Sequence, residues 1–204
     1  LYELLLRETV LHADETTLQV LHEDGKKAQT KSYMWLYRTS GCCEHPIVLY
    51  DYQPDRKALR PKEFLDGFSG YLHTDGYAVY HSLSENIVVV GCWAHARRKF
   101  DEALKALPES DQEGSNALRG KRFSIEKELE KLSPESRFEE RQKQAKPVLD
   151  EYLSWLKAQK AAPKSALGKA VYYTIDQWQY LERYLEDGRL EISNNRAERS
   201  IKPF

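Results

Sequence analysis

The feature that most constrains this chain is a change of hydrophobic period near residue 92. From Thr9 to Cys92, apolar residues alternate or run in short β-branched and aromatic stretches; from Trp93 onward they recur every three or four positions. The first pattern is that of strands and the second that of helices. Five strand segments are expected: residues 9–22, "SYMWLYRT" (32–39), "PIVLYDY" (46–52), "GYLHT" (70–74) and "NIVVVGC" (86–92). Turn signals at Asp24-Gly25 and Gly41 make the first three an antiparallel meander. "PDRKALRPKEFLDGF" reads as a helix crossing to the fourth, so the class is mixed α/β.

Four apolar stripes follow. They run through Trp93, Ala96, Phe100, Leu104 and Leu107; through Leu118, Ile125, Leu129 and Leu132; through Leu149, Tyr152, Leu153 and Leu156; and through Val171, Ile175, Trp178, Leu181 and Leu185. Gly188 is the expected C-cap of the last. Between 108 and 146 stand nine acidic and nine basic residues, a composition that predicts a solvated helical excursion, with Pro147 opening a new helix. The expected organisation is a core over 1–107, a helical insertion over 108–165, and C-terminal helices over 166–204 that complete the core.

Composition excludes some classes. A chain of 204 residues can bury a core, and a net charge of −1 leaves nucleic-acid binding undecided. No apolar run approaches the ~18 residues of a membrane span. "LYELLLRETV" lacks the features of a signal peptide, so a cytoplasmic protein is expected. Cys42, Cys43 and Cys92 are too few and too oddly numbered for a disulfide framework. The chain starts at Leu1 and stops just after a charged motif, and it reads as a fragment.

Asp14 lies within the first strand segment, where an unpaired carboxylate is costly to bury. Asp75 falls where the fourth segment gives way to Gly76, and Glu198 stands in the short helical stretch "EISNNRAERSIKPF", with Ser193 or Asn194 as N-cap and Pro203 as stop. Gathered together, such acids repel one another by about 4 kcal/mol per close pair at an effective dielectric of roughly 20. A pair of Mg²⁺ or Mn²⁺ ions resolves that conflict and suits phosphodiester chemistry. Each acid has a plainer reading: an exposed edge-strand acid for Asp14, an Asp-Gly turn for Asp75, a surface partner of Arg199 or Lys202 for Glu198. Alternation sends Glu15 to the face opposite Asp14, where a structural contact is expected.

"HADET", "HTDGYAVY", "CWAHARRKF" and "NNRAERSIKP", in that order, resemble the catalytic domain of bacterial transposases of the insertion-sequence sixty-six family. The resemblance covers nearly the whole chain. It implies a ribonuclease H-like fold, a mixed five-stranded sheet flanked by helices with a helical insertion before the last catalytic helix. It also implies a DDE triad of Asp14, Asp75 and Glu198 holding two Mg²⁺ or Mn²⁺ ions. The implied activity is DNA nicking and strand transfer by direct transesterification, on transposon ends and target DNA, in a homo-oligomer. A two-metal nuclease, or an idle DNA-binding or assembly module, is the alternative. Family members also carry an N-terminal DNA-binding and helical region and continue beyond the position of Pro203. Arg97, Arg98, Arg196, Arg199 and Lys202 are the expected DNA contacts, since acids that work on DNA need phosphate-binding cations beside them. Lys99 and the group Arg56, Lys57, Arg60 and Lys62 are further basic clusters. Cys92 and His95 form a C-x-x-H unit expected to support the fold; zinc there would need ligands from Cys42, Cys43 or His45. Trp155, Tyr172, Tyr173 and Trp178 are expected in the core.

Overall fold

In the computed structural model, described for residues 1–22, 25, 27, 29–105 and 116–202 with the side chains of 116–121 excepted, the chain divides into two compact units. One comprises Leu1–Val90 with Ser193–Phe204, the other Gly91–Ile192.

The first unit is built on β1 (Val10–Gln19), the middle strand of a five-stranded sheet. β2 (Lys31–Thr39) pairs with it antiparallel and β3 (Val48–Gln53) antiparallel with β2, the expected meander. On the other side lie β4 (Gly70–His73) and β5 (Ile87–Val90), both parallel, giving the order β3-β2-β1-β4-β5. This mixed open sheet with its helices is consistent with a ribonuclease H-like fold. β5 is apolar on both faces, as a strand of a covered sheet is. Between β3 and β4 the helix is much shorter than the sequence pattern predicts: α2 covers only Leu59–Phe64. Asp55 explains the late start, because its carboxylate accepts from the Lys57 backbone N–H and from Arg60, which stabilises a turn in place of helix.

Strand alternation separates two faces. On one, Tyr37 stacks on Phe64 of α2 at 3.8 Å, and Tyr2 of α1 (Tyr2–Leu6) meets the edge of the same ring. On the other, Leu36 packs against Ala197 and Ile201 of α9 (Asn195–Ile201), the helix formed when the chain returns.

The second unit is helical throughout its described elements: α3 (Trp93–Lys105), α4 (Asn116–Leu129), α5 (Pro134–Glu140), α6 (Lys146–Ala158), α7 (Ala166–Asp176) and α8 (Trp178–Leu181). Its limits at Gly91 and Ile192 lie outside the 108–165 segment drawn from the charge pattern. α5 runs into α6 through a π-helical turn, Arg141–Ala145, so Pro147 lies in the first turn of α6 without a break before it. Where one stripe predicts a single helix over Val171–Leu185, the chain breaks at Gln177 and tightens to a 3₁₀ turn over Glu182–Leu185. The carbonyls of Tyr180 and Leu181 are used elsewhere, accepting from the Gly91 N–H and the Trp93 indole. Gly188 is not a left-handed cap; a Cβ there would lie 1.7 Å from the Pro134 carbonyl oxygen, so close backbone approach is what requires glycine. Trp155, Tyr173 and Trp178 are partly buried as expected, but Tyr172 is 72% exposed. Leu107 and Pro203 lie outside the described residues, as does Asp24.

The charge-rich segment is not wholly solvated. Arg141 is 1% exposed, and its donors reach the Glu126 carboxylate and the carbonyls of Tyr184, Asp187 and Leu190. A fully bonded buried arginine ties α4, the π turn and the 180s segment together. Arg141→Met is expected to destabilise this unit by about 3–5 kcal/mol, because the Glu126 carboxylate loses its counter-charge in a buried setting. Urea unfolding at neutral pH measures it; Glu126→Gln, which keeps an acceptor, should cost less.

Candidate functional site

The pairing of β1 with its neighbours determines where the acids stand. His12 of β1 is register partner of His73 at the end of parallel β4. Two residues beyond each comes an acid: Asp14, still within β1, and Asp75, past the end of β4. Asp14 also lies directly opposite Leu36 of β2, and cross-strand partners share a face. That face is the one covered by α9, which carries Glu198.

Asn194, just before α9, aligns the helix with the strand. Its side-chain amide donates to the Ala13 carbonyl at 2.8 Å and its oxygen lies 2.9 Å from His12 Nδ1. The Glu198 N–H in turn bonds the Asn194 carbonyl at 3.1 Å, one helical turn along. Further bonds hold α9 to the sheet: Arg38, the cross-strand partner of His12, donates to the Arg196 carbonyl and the Ser200 hydroxyl, and Tyr50 donates to the Ser200 carbonyl at 2.8 Å. Asn194 occupies the N-cap position, yet it makes no capping bond to its own helix; its side chain is used on β1 instead.

The electrostatics agree with this placement. Burial first, then the charges of Glu15, Asp75 and Glu198, push Asp14 up to about 8, against the Glu15 N–H that bonds its carboxylate. Asp75 also closes a turn, accepting from the Tyr77 N–H at 2.9 Å beside Gly76 at φ +91°. The turn reading of this residue is therefore met. Carboxylates are hard-oxygen donors of the kind Mg²⁺ or Mn²⁺ takes, and the Asp75 charge acts on Glu15 as well as on Asp14.

Glu15 takes the opposite face, as alternation requires, and shares it with Trp35, its cross-strand partner. Its carboxylate, 1% exposed, accepts from Arg56 and from the Tyr80 hydroxyl at 2.6 Å. Burial and the Asp75 charge push Glu15 up to about 7 while Tyr80 and Arg56 hold it down. The Arg56 guanidinium lies 3.6 Å over the Tyr77 ring, so the ion pair is braced by the residue that also shapes the Asp75 turn. This fourth acid thus has its own counter-charge.

Of the basic residues expected at the site, Arg199 and Lys202 are exposed on or just past α9 and Arg196 is partly exposed. Arg97 and Arg98 are exposed on α3 of the second unit, Arg97 with Asp101 at 3.6 Å. Cys92 is buried and His95 partly buried at the start of that helix, joined by a bond from the His95 N–H to the Cys92 carbonyl. Sequence reasoning passed over His12 and His73, both fully buried with rings stacked 4.9 Å apart and nearly parallel. The signal was present, since both acids are preceded two positions earlier by histidine, "HAD" and "HTD".

The raised Asp14 has a testable consequence. Below about pH 4 folded and unfolded chains are both protonated there; between about 4 and 8 the unfolded chain gives up a proton that the folded one keeps. Stability therefore falls as pH rises through that window, with a slope of up to about 1.4 kcal/mol per unit for one group. In chelator, the urea midpoint of the wild type should drop between about pH 5 and 8, and Asp14→Asn should flatten the drop and exceed wild type at the alkaline end. Glu15 leaves a residual slope of the same sign.

No helix among the described residues is long and apolar enough to cross a membrane. A family profile described as "Transposase IS66 family" matches residues 1–204. Three curated relatives from Sinorhizobium fredii (strain NBRC 101917 / NGR234) are similar along the chain. Uncharacterized protein y4qI is 34% identical over 94% of this chain and 38% of its own length. Uncharacterized protein y4hP is 30% identical over 94% and 39%, and uncharacterized protein y4jD 30% identical over 93% and 40%. The chain thus spans about two fifths of the length of these relatives. No solved structure matches it. With a profile that runs from the first residue to the last, the chain belongs to the IS66 family of transposases.

Proposed function

We propose that this chain is the catalytic domain of a DDE transposase, cutting DNA at element ends and joining the freed 3′-hydroxyl to target DNA. The observation that supports the reading is that the charges of Asp75 and Glu198 both act on the buried Asp14 carboxylate, with α9 packed on the Asp14 face of the sheet. Asp14, Asp75 and Glu198 hold the metal. Two bound Mg²⁺ or Mn²⁺ ions supply activation of the attacking hydroxyl and charge stabilisation at the leaving oxygen. The carboxylates fix where the scissile phosphate sits, and their repulsion favours cation binding over an empty cluster. In each step a hydroxyl oxygen bonds to phosphorus as the opposite P–O bond breaks, with no covalent enzyme intermediate. Arg196, Arg199, Lys202, Arg97 and Arg98 contact phosphates of transposon end and target, and the active complex is a homo-oligomer. The exposure of Arg199 and Lys202 supports that role, since a salt bridge at an exposed site contributes little that DNA would have to displace.

The test is a cleavage, joining and binding assay on the full-length protein with end-containing DNA, titrated with salt. Glu198→Gln should abolish both cutting and joining while DNA affinity stays near wild type or rises slightly. Arg199→Ala should weaken binding to any DNA and reduce the salt slope by about one unit. Near wild-type cutting by Glu198→Gln would remove the triad from the reading, and cutting without joining would point to a nuclease.

A further inference from the structure

Chemistry at a cluster of three acids depends on their spacing, and one of the three arrives on a separate helix. What holds that helix in register is therefore part of how the site works. Asn194 is fully buried and makes two bonds to the strand that carries Asp14: to the Ala13 carbonyl at 2.8 Å and to His12 Nδ1 at 2.9 Å. A carbonyl oxygen can only accept, so the amide nitrogen must face Ala13 and the amide oxygen must face His12. The proton of the His12 imidazole on that side is then on Nδ1. His12 cannot swing away to spoil the bond, because its ring is fully buried and stacked on His73.

We propose that Asn194 is a positioning residue, locked by His12 and the Ala13 carbonyl, that sets the separation between Glu198 and the Asp14–Asp75 pair and so allows a second metal ion to bind. The inference rests on the carboxylate reading above and deepens it. The path is short: Ala13 adjoins Asp14, and Glu198 N–H bonds the Asn194 carbonyl one turn along α9. A shift at Asn194 is passed directly to the third ligand. Arg38 and Tyr50 hold the helix farther along, at Arg196 and Ser200, so loss of the Asn194 bonds leaves the helix attached but free to rotate its ligand-bearing side.

The experiment is Mn²⁺ titration of the full-length protein, followed by calorimetry and by electron paramagnetic resonance. Wild type should bind two ions with the signal of a spin-coupled pair. Asn194→Ala should lower affinity for the weaker ion about 10- to 100-fold, as loss of an outer-shell partner does, and the six-line signal of an isolated ion should replace the coupled one. His12→Phe keeps the ring and its stack but removes the Nδ1 donor; it should shift binding in the same direction by less, and it carries the test alone if Asn194→Ala does not fold. Ile201→Val thins the packing of the same helix and should lower the melting temperature while leaving Mn²⁺ binding unchanged. If Ile201→Val weakens Mn²⁺ as the other two do, general helix stability is the cause and the positioning role falls. If Asn194→Ala and His12→Phe bind two ions normally while Glu198→Gln loses one, the positioning role falls and the proposed function stands. Normal two-ion binding by Glu198→Gln overturns both.

Discussion

A carboxylate buried in the middle strand of the sheet is the constraint around which the first unit is arranged. Asp14 is 8% exposed and feels three other acids. A group so placed either keeps its proton near neutral pH or gains a cation. Arg56 pairs with Glu15, one residue later and on the other face. There the Arg56 ion pair, the Tyr80 hydroxyl and the Tyr77 ring enclose the neighbouring charge. Two consecutive acids in one strand therefore have opposite fates. One is neutralised by protein and braces the sheet, while the other, bonded by the Glu15 N–H, has the charges of Glu15, Asp75 and Glu198 acting on it.

The pleat makes this division cheap. Because side chains alternate, a single strand presents His12 and Asp14 to α9 and Ala13 and Glu15 to the layer of Tyr37, Trp35 and Tyr80. Parallel pairing with β4 brings His73 beside His12, where the two rings stack. A one-residue slip of β1 would reverse every assignment at once, putting Asp14 against Tyr37 and Glu15 under α9.

Much of this was legible in the sequence, and the limits are physical. Strand and helix periods identified the five strands and the switch at residue 92, because those periods are imposed by faces that must be buried. Asp14 could be singled out because an unpaired carboxylate in a buried strand is costly and Asp75 because it follows a strand's end, whereas Glu198 alone reads as a surface acid and was marked by the family resemblance. Alternation also gave Glu15 its face. The side chains that organise the site were harder to see: Asn194 reads as a cap from local propensity, and only tertiary structure shows that its amide is turned to Ala13 and His12. The charge-rich stretch after residue 108 misled for a similar reason. Balanced charges look solvated, yet Arg141 is buried and fully bonded, and the Arg122 guanidinium lies between Trp93 and Tyr152 at 4.1 Å from each ring. Gly188 likewise read as a cap, and the contact that demands glycine comes from Pro134, far away in sequence.

The chain leaves the sheet after Val90 and supplies the third acid only on its return at Ser193. Such an excursion is tolerable because closure entropy grows slowly with length, about 0.6 kcal/mol for each doubling. The penalty of a long detour is thus little more than that of a short one, provided the returning segment is held firmly. α9 meets that condition with few residues: Ala197 and Ile201 are buried against Leu36, and side chains of β1, β2 and β3 bond its backbone or its preceding asparagine. Helix propensity alone would not keep a seven-residue helix formed. Its stability comes from the sheet it completes, and the same contacts that stabilise it set the position of Glu198. Folding of the returning segment is therefore what brings Glu198 back to the sheet.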